Sequence, residues 1–197
     1  MGMRPKCLLE RDGVPIIRHL ILHLAAYGMD DLVVVLGHHA QRVEPAIRDL
    51  PGKRVHNPTP DDGQISSMRL GLQALAPACQ TILVALADQP MITARDIGDL
   101  LDAYAKRPAG TELLQPRVDG LPGNPVVFSA AVRAAILGSD ASTGGRQWQA
   151  AHPDKVYRWG SDNRNYRTDV DTAADLVTLA ARTGCQLRWP ADLERPA

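Results

Sequence analysis

Two carboxylates, one at the end of an apolar run and one just before a helix, are the side chains best placed to do chemistry. Asp88 closes residues 83–88 of the stretch LVALADQP, and Asp171 closes Thr168-Asp169-Val170-Asp171. Residues 81–86 have the length and branching of a buried parallel strand. An acid where such a strand ends stands at the carboxyl edge of a sheet, where open α/β sheets bind ligands. Desolvating a carboxylate there is costly unless it is paired, and a divalent cation is the usual partner. Two acids far apart in sequence but both at sheet edges fit a Mg²⁺ that also holds substrate phosphates. A plainer reading stands beside this one: Asp88 caps a turn before Pro90, and Asp171 is a helix N-cap with Asp169 solvated.

Weaker candidates surround these. Lys6 follows Pro5 and, at a sheet edge, could neutralise phosphate as a point charge, although a lysine near a terminus is usually just solvated. The loop from Asn57 to Ser67, NPTPDDGQISS, feeds a helix. Gly63 permits close backbone approach, and Ser66 and Ser67 add hydroxyls to free helix-start amides, a set able to hold a base edge or a phosphate. A capped helix after a proline-rich turn explains the same residues. His19 and His23 share a helix face, but no glutamate adjoins His19 as a zinc-protease motif needs, so they read as structural or solvated. The three cysteines, Cys7, Cys79 and Cys185, are far apart and point to a reducing compartment without disulfide or zinc.

The elements that must position these residues alternate. Helical spacing covers residues 14–27, 40–50, 64–75, 93–106, 130–137, 147–151 and 172–182, and strand-like runs cover 32–36, 53–56, 81–86, 112–115, 126–128 and 156–159. Such alternation predicts an α/β fold, a mostly parallel sheet with helices on both faces, in one domain over residues 1–197. From Lys6 the chain is read as running directly into the first helix, and no period is legible beyond Gly184. Lysine plus arginine equal aspartate plus glutamate at 22 each, so no basic excess suggests nucleic acid. No apolar run is long enough to span a membrane and no signal peptide is visible, so a cytoplasmic location is expected.

Taken in order, Pro5-Lys6-Cys7-Leu8-Leu9, Val33-Val34-Val35-Leu36-Gly37, Asn57-Pro58 with Gly63 and Ser66-Ser67-Met68-Arg69, Leu86-Ala87-Asp88-Gln89-Pro90, Gly123-Asn124-Pro125 and Asp169-Val170-Asp171-Thr172 form six motifs. This order resembles the MobA-like nucleotidyltransferases, above all their molybdenum cofactor cytidylyltransferase branch. The resemblance implies a Rossmann-like three-layer α/β/α fold of the nucleotide-diphospho-sugar transferase kind. It also implies transfer of a nucleoside monophosphate from an NTP, here CTP, to a molybdopterin-type phosphorylated acceptor, with a molybdoenzyme as a further partner. Mg²⁺ would be held by Asp88 and Asp171, with Asp169 as alternate for the second. Lys6 would neutralise charge on the transferred phosphoryl group, and Asn57, Gly63, Ser66 and Ser67 would read the base. Gly123, Asn124 and Pro125, where the family often has Gly-His-Pro, would lie near the acceptor. A sugar-1-phosphate nucleotidyltransferase and a non-catalytic module that holds the cofactor or a partner enzyme are the competing readings.

The family opens with a strand and a glycine-rich loop, LAAGxGxRMG, before its Pro-Lys, and Met1-Gly2 match only the last two letters. The first strand of the fold is therefore expected to be missing. A gap between strands 32–36 and 81–86, their direct pairing, or a substitute strand should result.

Overall fold

A computed structural model describes residues 4–193; the Met1-Gly2 match lies outside the described residues. After a 3₁₀ turn at Lys6–Leu8 come β1 (Glu10–Arg11) and β2 (Val14–Pro15), a hairpin whose Asp12 and Gly13 have φ of 54° and 76°. Positive φ at both turn residues is the geometry that Asp-Gly favours in tight hairpins. The expectation of a direct run from Lys6 into the helix is corrected here. Two-residue strands carry no period, and the Asp12-Gly13 signal was the one legible cue. Pro15 then precedes α1 (Ile16–Ala26). The C-terminal segment, also read as patternless, supplies β10 (Leu187–Arg188), which pairs antiparallel with β1.

The other helices follow the sequence expectations closely. They are α2 (Ala40–Ile47), α3 (Gln64–Ala74), α4 (Ala94–Ala105), α5 (Ala130–Gly138), α6 (Gly145–Ala151) and α7 (Ala173–Thr183). Thr93 and Thr172 start α4 and α7 with reciprocal caps to Asp96 and Asp175, satisfying amides that have no partner within the helix.

The strands fall into two separate pieces. β3 (Val33–Leu36) pairs in parallel with β4 (Lys53–His56). β5 (Thr81–Val84) pairs antiparallel with β8 (Val126–Ser129), which pairs antiparallel with β6 (Leu113–Val118). β6 also pairs in parallel with β9 (Val156–Gly160) and forms a hairpin with β7 (Leu121–Pro122). Since β8 opposes both β5 and β6, the strands β5, β6 and β9 share one direction and β8 alone among these four is reversed.

Alternate side chains show the layering. Leu83, Leu114 and Val127 pack with Leu20 and Leu24 of α1 and Leu100 of α4. Their neighbours Ile82, Leu113 and Phe128 pack on the opposite face with Leu72 of α3, Val132 and Ile136 of α5, and Trp148 of α6. A period of two on strands covered from both sides produces the three layers. On β3, Val34 and Leu36 join Ile17 and Ile21 of α1 and Val43 of α2, while Val35 meets α3 at Gly71.

Of the three outcomes expected from a missing first strand, the structure shows the gap. Among the described residues no strand lies between β3 and β5. A cleft of about 1520 Å³ separates them, bordered by Val33–Leu36 on one side and Thr81–Ala87 on the other. Val33, Val34 and Val35 are consequently half-buried, as are Leu83 and Val84, although their sequence reads as fully buried strand.

Candidate functional site

Asp88 lies in the turn that follows β5. One carboxylate oxygen, Oδ1, is buried and has no hydrogen-bond partner among the described residues. The Asp88 carbonyl accepts from the Val170 N–H at 3.2 Å, and Val170 is wholly buried. That bond and that anchor bring the segment before α7 against the end of β5. Burial raises the Asp88 carboxyl above its ordinary range and its own backbone N–H opposes this. The negative charges of Asp169 and Asp171 raise it further, and Lys6 lowers it. A buried carboxylate oxygen without a donor, facing further acids, has the donor chemistry of a hard divalent cation. The turn-cap reading of Asp88 leaves that oxygen unexplained.

Asp171 is not the N-cap of α7, and that alternative is overturned. Thr172 is the cap, and the Asp171 N–H donates to Asp175 Oδ2 at 2.9 Å. Freed from capping, the Asp171 carboxylate accepts from Lys6 Nζ at 2.6 Å. Pro5 precedes the 3₁₀ turn, and buried Leu8 and Leu9 pin it, so Lys6 is held over the acids. The ion pair is open to solvent and stabilises by about 0–1 kcal/mol. Either partner can therefore exchange the other for a phosphate or a cation at little cost. Among the described residues, no three His, Cys, Asp or Glu side chains converge closely enough to hold a metal alone. A cation at Asp88 and Asp171 would need further oxygens from a bound phosphate, as Mg²⁺ sites on nucleotides commonly do.

The proposed base loop is knitted to itself. Buried Asn57 donates from Nδ2 to Ser66 Oγ and Ser67 Oγ, each at 2.9 Å, and accepts from the Thr59 N–H. Ser66 in turn donates to the Gly63 carbonyl at 2.8 Å. Asn57 and Ser66 thus hold the loop in shape. Ser67 lines the cleft with Gln64 and Met68, and among the described residues its hydroxyl donates no hydrogen bond. A Cβ at Gly63 would meet open space among the described residues, and its φ of +83° at the N-cap of α3 is one that glycine adopts without strain.

Gly123 is the position where close approach does operate. A Cβ there would stand 2.6 Å from the Tyr166 carbonyl oxygen. The Asn124 N–H donates to that same oxygen at 2.8 Å, and Gln89 Nε2 donates to it at 3.2 Å and to the Asn124 carbonyl at 3.3 Å. Gln89 therefore ties the Asp88 turn to the Gly123-Asn124-Pro125 loop. Its Oε1 is buried without a partner among the described residues, as is Arg117 Nε. Gln115 and Arg117, two apart on β6, line the cleft with Gly123 and Asn124. Sequence reasoning passed over Gln89, Arg117 and Tyr166. The available signals were a glutamine next to the key acid and two polar residues at spacing two on an apolar strand.

The histidines are structural: His19 Nε2 meets the Arg11 carbonyl and His23 Nδ1 the Ile92 carbonyl. Cys7, Cys79 and Cys185 are free. Burial pushes the Cys7 thiol up to about 11. No described helix is long and apolar enough to cross a membrane.

The MobA-like NTP transferase domain family matches residues 1–156. Nicotine blue oxidoreductase of Paenarthrobacter nicotinovorans is 30% identical over 186 residues, covering 91% of this chain and 89% of its own. A nucleotidyl transferase from Methanothermobacter superposes with a TM-score of 0.71 at 22% identity, over 92% of this chain and 87% of that one. A Mycobacterium tuberculosis protein in complex with manganese superposes at 0.69 and 23%, over 89% of this chain and 90% of that one. These structures share the Rossmann-like α/β fold of nucleotidyltransferases. With a family match over residues 1–156 and a relative aligned along nine-tenths of both chains, the protein belongs to the MobA-like NTP transferase domain family.

Proposed function

We propose that the chain transfers a cytidylyl group from CTP to a molybdopterin-type phosphorylated acceptor. The observation that carries this is the partnerless Asp88 Oδ1, buried at a strand end against Asp169, Asp171 and Lys6. An acceptor phosphate oxygen bonds to the α-phosphorus while the bond to the bridging β-oxygen breaks, and pyrophosphate leaves with that electron pair. Asp88 and Asp171 would hold Mg²⁺, with Asp169 as alternate for the second position; when bound, the ion neutralises phosphate charge and aligns the triphosphate. Lys6 moves from Asp171 to the transferred phosphoryl group. Ser67 meets the base, and Gln89 holds the Gly123-Asn124-Pro125 loop for the acceptor. Positioning and charge neutralisation suffice for such chemistry, without a protein nucleophile. The manganese complex of the mycobacterial structure supports a divalent cation, and the choice of CTP rests on the resemblance of motifs.

The test is transfer of label from α-³²P CTP, GTP and ATP to a molybdopterin acceptor with Mg²⁺. CTP should be used first, with pyrophosphate released in step and lost in Lys6→Ala and Asp171→Asn. Label transfer that is indifferent to both substitutions would sink the assignment.

A second reading is favoured by one observation, the oxidoreductase name of the relative aligned over 186 residues. Under it, the chain would reduce a dye of that kind at the expense of a hydride donor. Bleaching of nicotine blue without pyrophosphate release would select it.

A further inference from the structure

One buried side chain gathers parts of the site that lie far apart in the sequence. Tyr166 is 1% exposed and packs in one cluster with Leu100 of α4 and Leu114 of β6. Its ring meets that of Trp159 edge-on, with centroids 5.6 Å apart. Its hydroxyl donates to the Asp96 carbonyl, in the first turn of α4, at 2.7 Å. Its backbone carbonyl accepts from the Asn124 N–H at 2.8 Å and from Gln89 Nε2 at 3.2 Å, and a Cβ on Gly123 would strike it. Tyr166 therefore spans from the start of α4 to the Gly123-Asn124-Pro125 loop.

Asp96 is the fixed end of that span. Its carboxylate accepts from the Thr93 N–H at 2.8 Å and the Thr93 hydroxyl at 2.9 Å. It also accepts from Asn163 Nδ2 at 2.6 Å and from Asn165 Nδ2 at 3.0 Å. Capping α4 needs only Thr93. The two asparagine bonds do something else: they clamp the segment that carries Tyr166 to the helix. Asp96 is buried, and a buried carboxylate is tolerated when donors surround it and costly when one is withdrawn. The clamp therefore favours a single arrangement.

The base side of the cleft is held independently. Among the described residues, the side-chain hydrogen bonds of Asn57, Ser66 and Ser67 all end within residues 57–67. Asp88 is linked to Tyr166 only at second hand, through the adjacent Gln89 and through Val170, whose N–H donates to the Asp88 carbonyl. The Gly123-Asn124-Pro125 loop alone is bonded to Tyr166 directly.

We infer that Tyr166, anchored on Asp96, is the positioning residue for the acceptor. It holds the Gly123-Asn124-Pro125 loop in register with the Asp88 turn and acts through them, not on the reacting atoms. The role of that register rests on the transferase reading above; the register itself does not.

Two variants test this. Tyr166→Phe keeps the ring and removes the hydroxyl bond. Asn165→Ala, at a half-buried residue, withdraws one donor from Asp96 and serves if the Tyr166 variant fails to fold. Amide exchange needs no turnover and is measured first. The Asn124 amide should exchange about tenfold faster or more in each variant, and that of Val55 on β4 should stay within about twofold. In transfer of label from CTP, the KM for the acceptor should rise about tenfold, and that for CTP by less than about threefold. A residue that serves stability alone would lower the active fraction, so kcat would fall with both KM values unchanged. That result overturns the inference, as does an equal rise in both KM values or unchanged exchange at Asn124. Faster exchange at Asn124 in the variants, with no label transferred even by the unsubstituted protein, would support the register and overturn the transferase reading alone.

Discussion

The two halves of the sheet are built from the same kinds of residue and end in different states. On the β5–β8–β6–β9 side, Leu113, Leu114, Val127 and Phe128 are all 0% exposed. On the β3–β4 side, three consecutive valines remain half-buried. The difference lies in neighbours, since β6 and β8 have partners on both edges while β3 has one. A run of β-branched residues states how much burial it can use, and its partners decide how much it receives. Asp88 sits at the border of the two halves, at the end of the last strand of the closed side.

The largest effect should come at that border. Asp88→Asn is expected to lower label transfer by about 10²–10³-fold. It should leave the metal-free fold as stable as before, or more stable near neutral pH. The sign follows from the raised Asp88 carboxyl. A group whose folded pKa lies above its unfolded value favours the fold below the unfolded pKa, and that benefit is lost as pH rises through the folded one. Removing the charge therefore relieves the fold at neutral pH. Chemical denaturation beside the transfer assay measures both; a large loss of stability would make Asp88 a structural residue.

The comparison is sharpened by one matched pair. Val127→Ala, in the closed half, should cost roughly 2–3 kcal/mol, and Val34→Ala, beside the cleft, roughly 1 kcal/mol or less. Equal losses in urea unfolding would mean that the cleft is closed in solution.

Most of this was legible in the residues, and the failures have identifiable causes. The helix from Thr93 and the strand at 53–56 were readable because caps and period agree. Asp88 was legible because an acid ends an apolar run. The β1–β2 hairpin and β10 were not, since two-residue strands have no period and β10 finds its partner across almost the whole chain. Asp171 was ambiguous because Asp and the adjacent Thr172 are both good caps, and only the bond from its N–H to Asp175 decides between them. Gln89 was missed because its importance lies in two carbonyls, those of Asn124 and Tyr166, that converge on it only on folding.

A smaller effect is expected on the β4–α3 side of the cleft. Ser67→Ala should change the CTP-to-GTP preference by several-fold, about 1 kcal/mol for one hydrogen bond, with little change in stability, because the loop keeps Asn57 and Ser66. Competition between the two nucleotides in one transfer assay reads it. An unchanged preference would place base recognition elsewhere.

The central claim is that Asp88 and Asp171 are two of the ligands of a nucleotide-bound divalent cation. Titrating Mn²⁺ into the protein with CTP and following free Mn²⁺ by electron paramagnetic resonance tests it most directly. The account predicts that the protein removes about one equivalent of Mn²⁺ when CTP is present, beyond what CTP alone removes. It also predicts that this extra binding disappears in Asp88→Asn and in Asp171→Asn. Undiminished Mn²⁺ binding by both variants would contradict it.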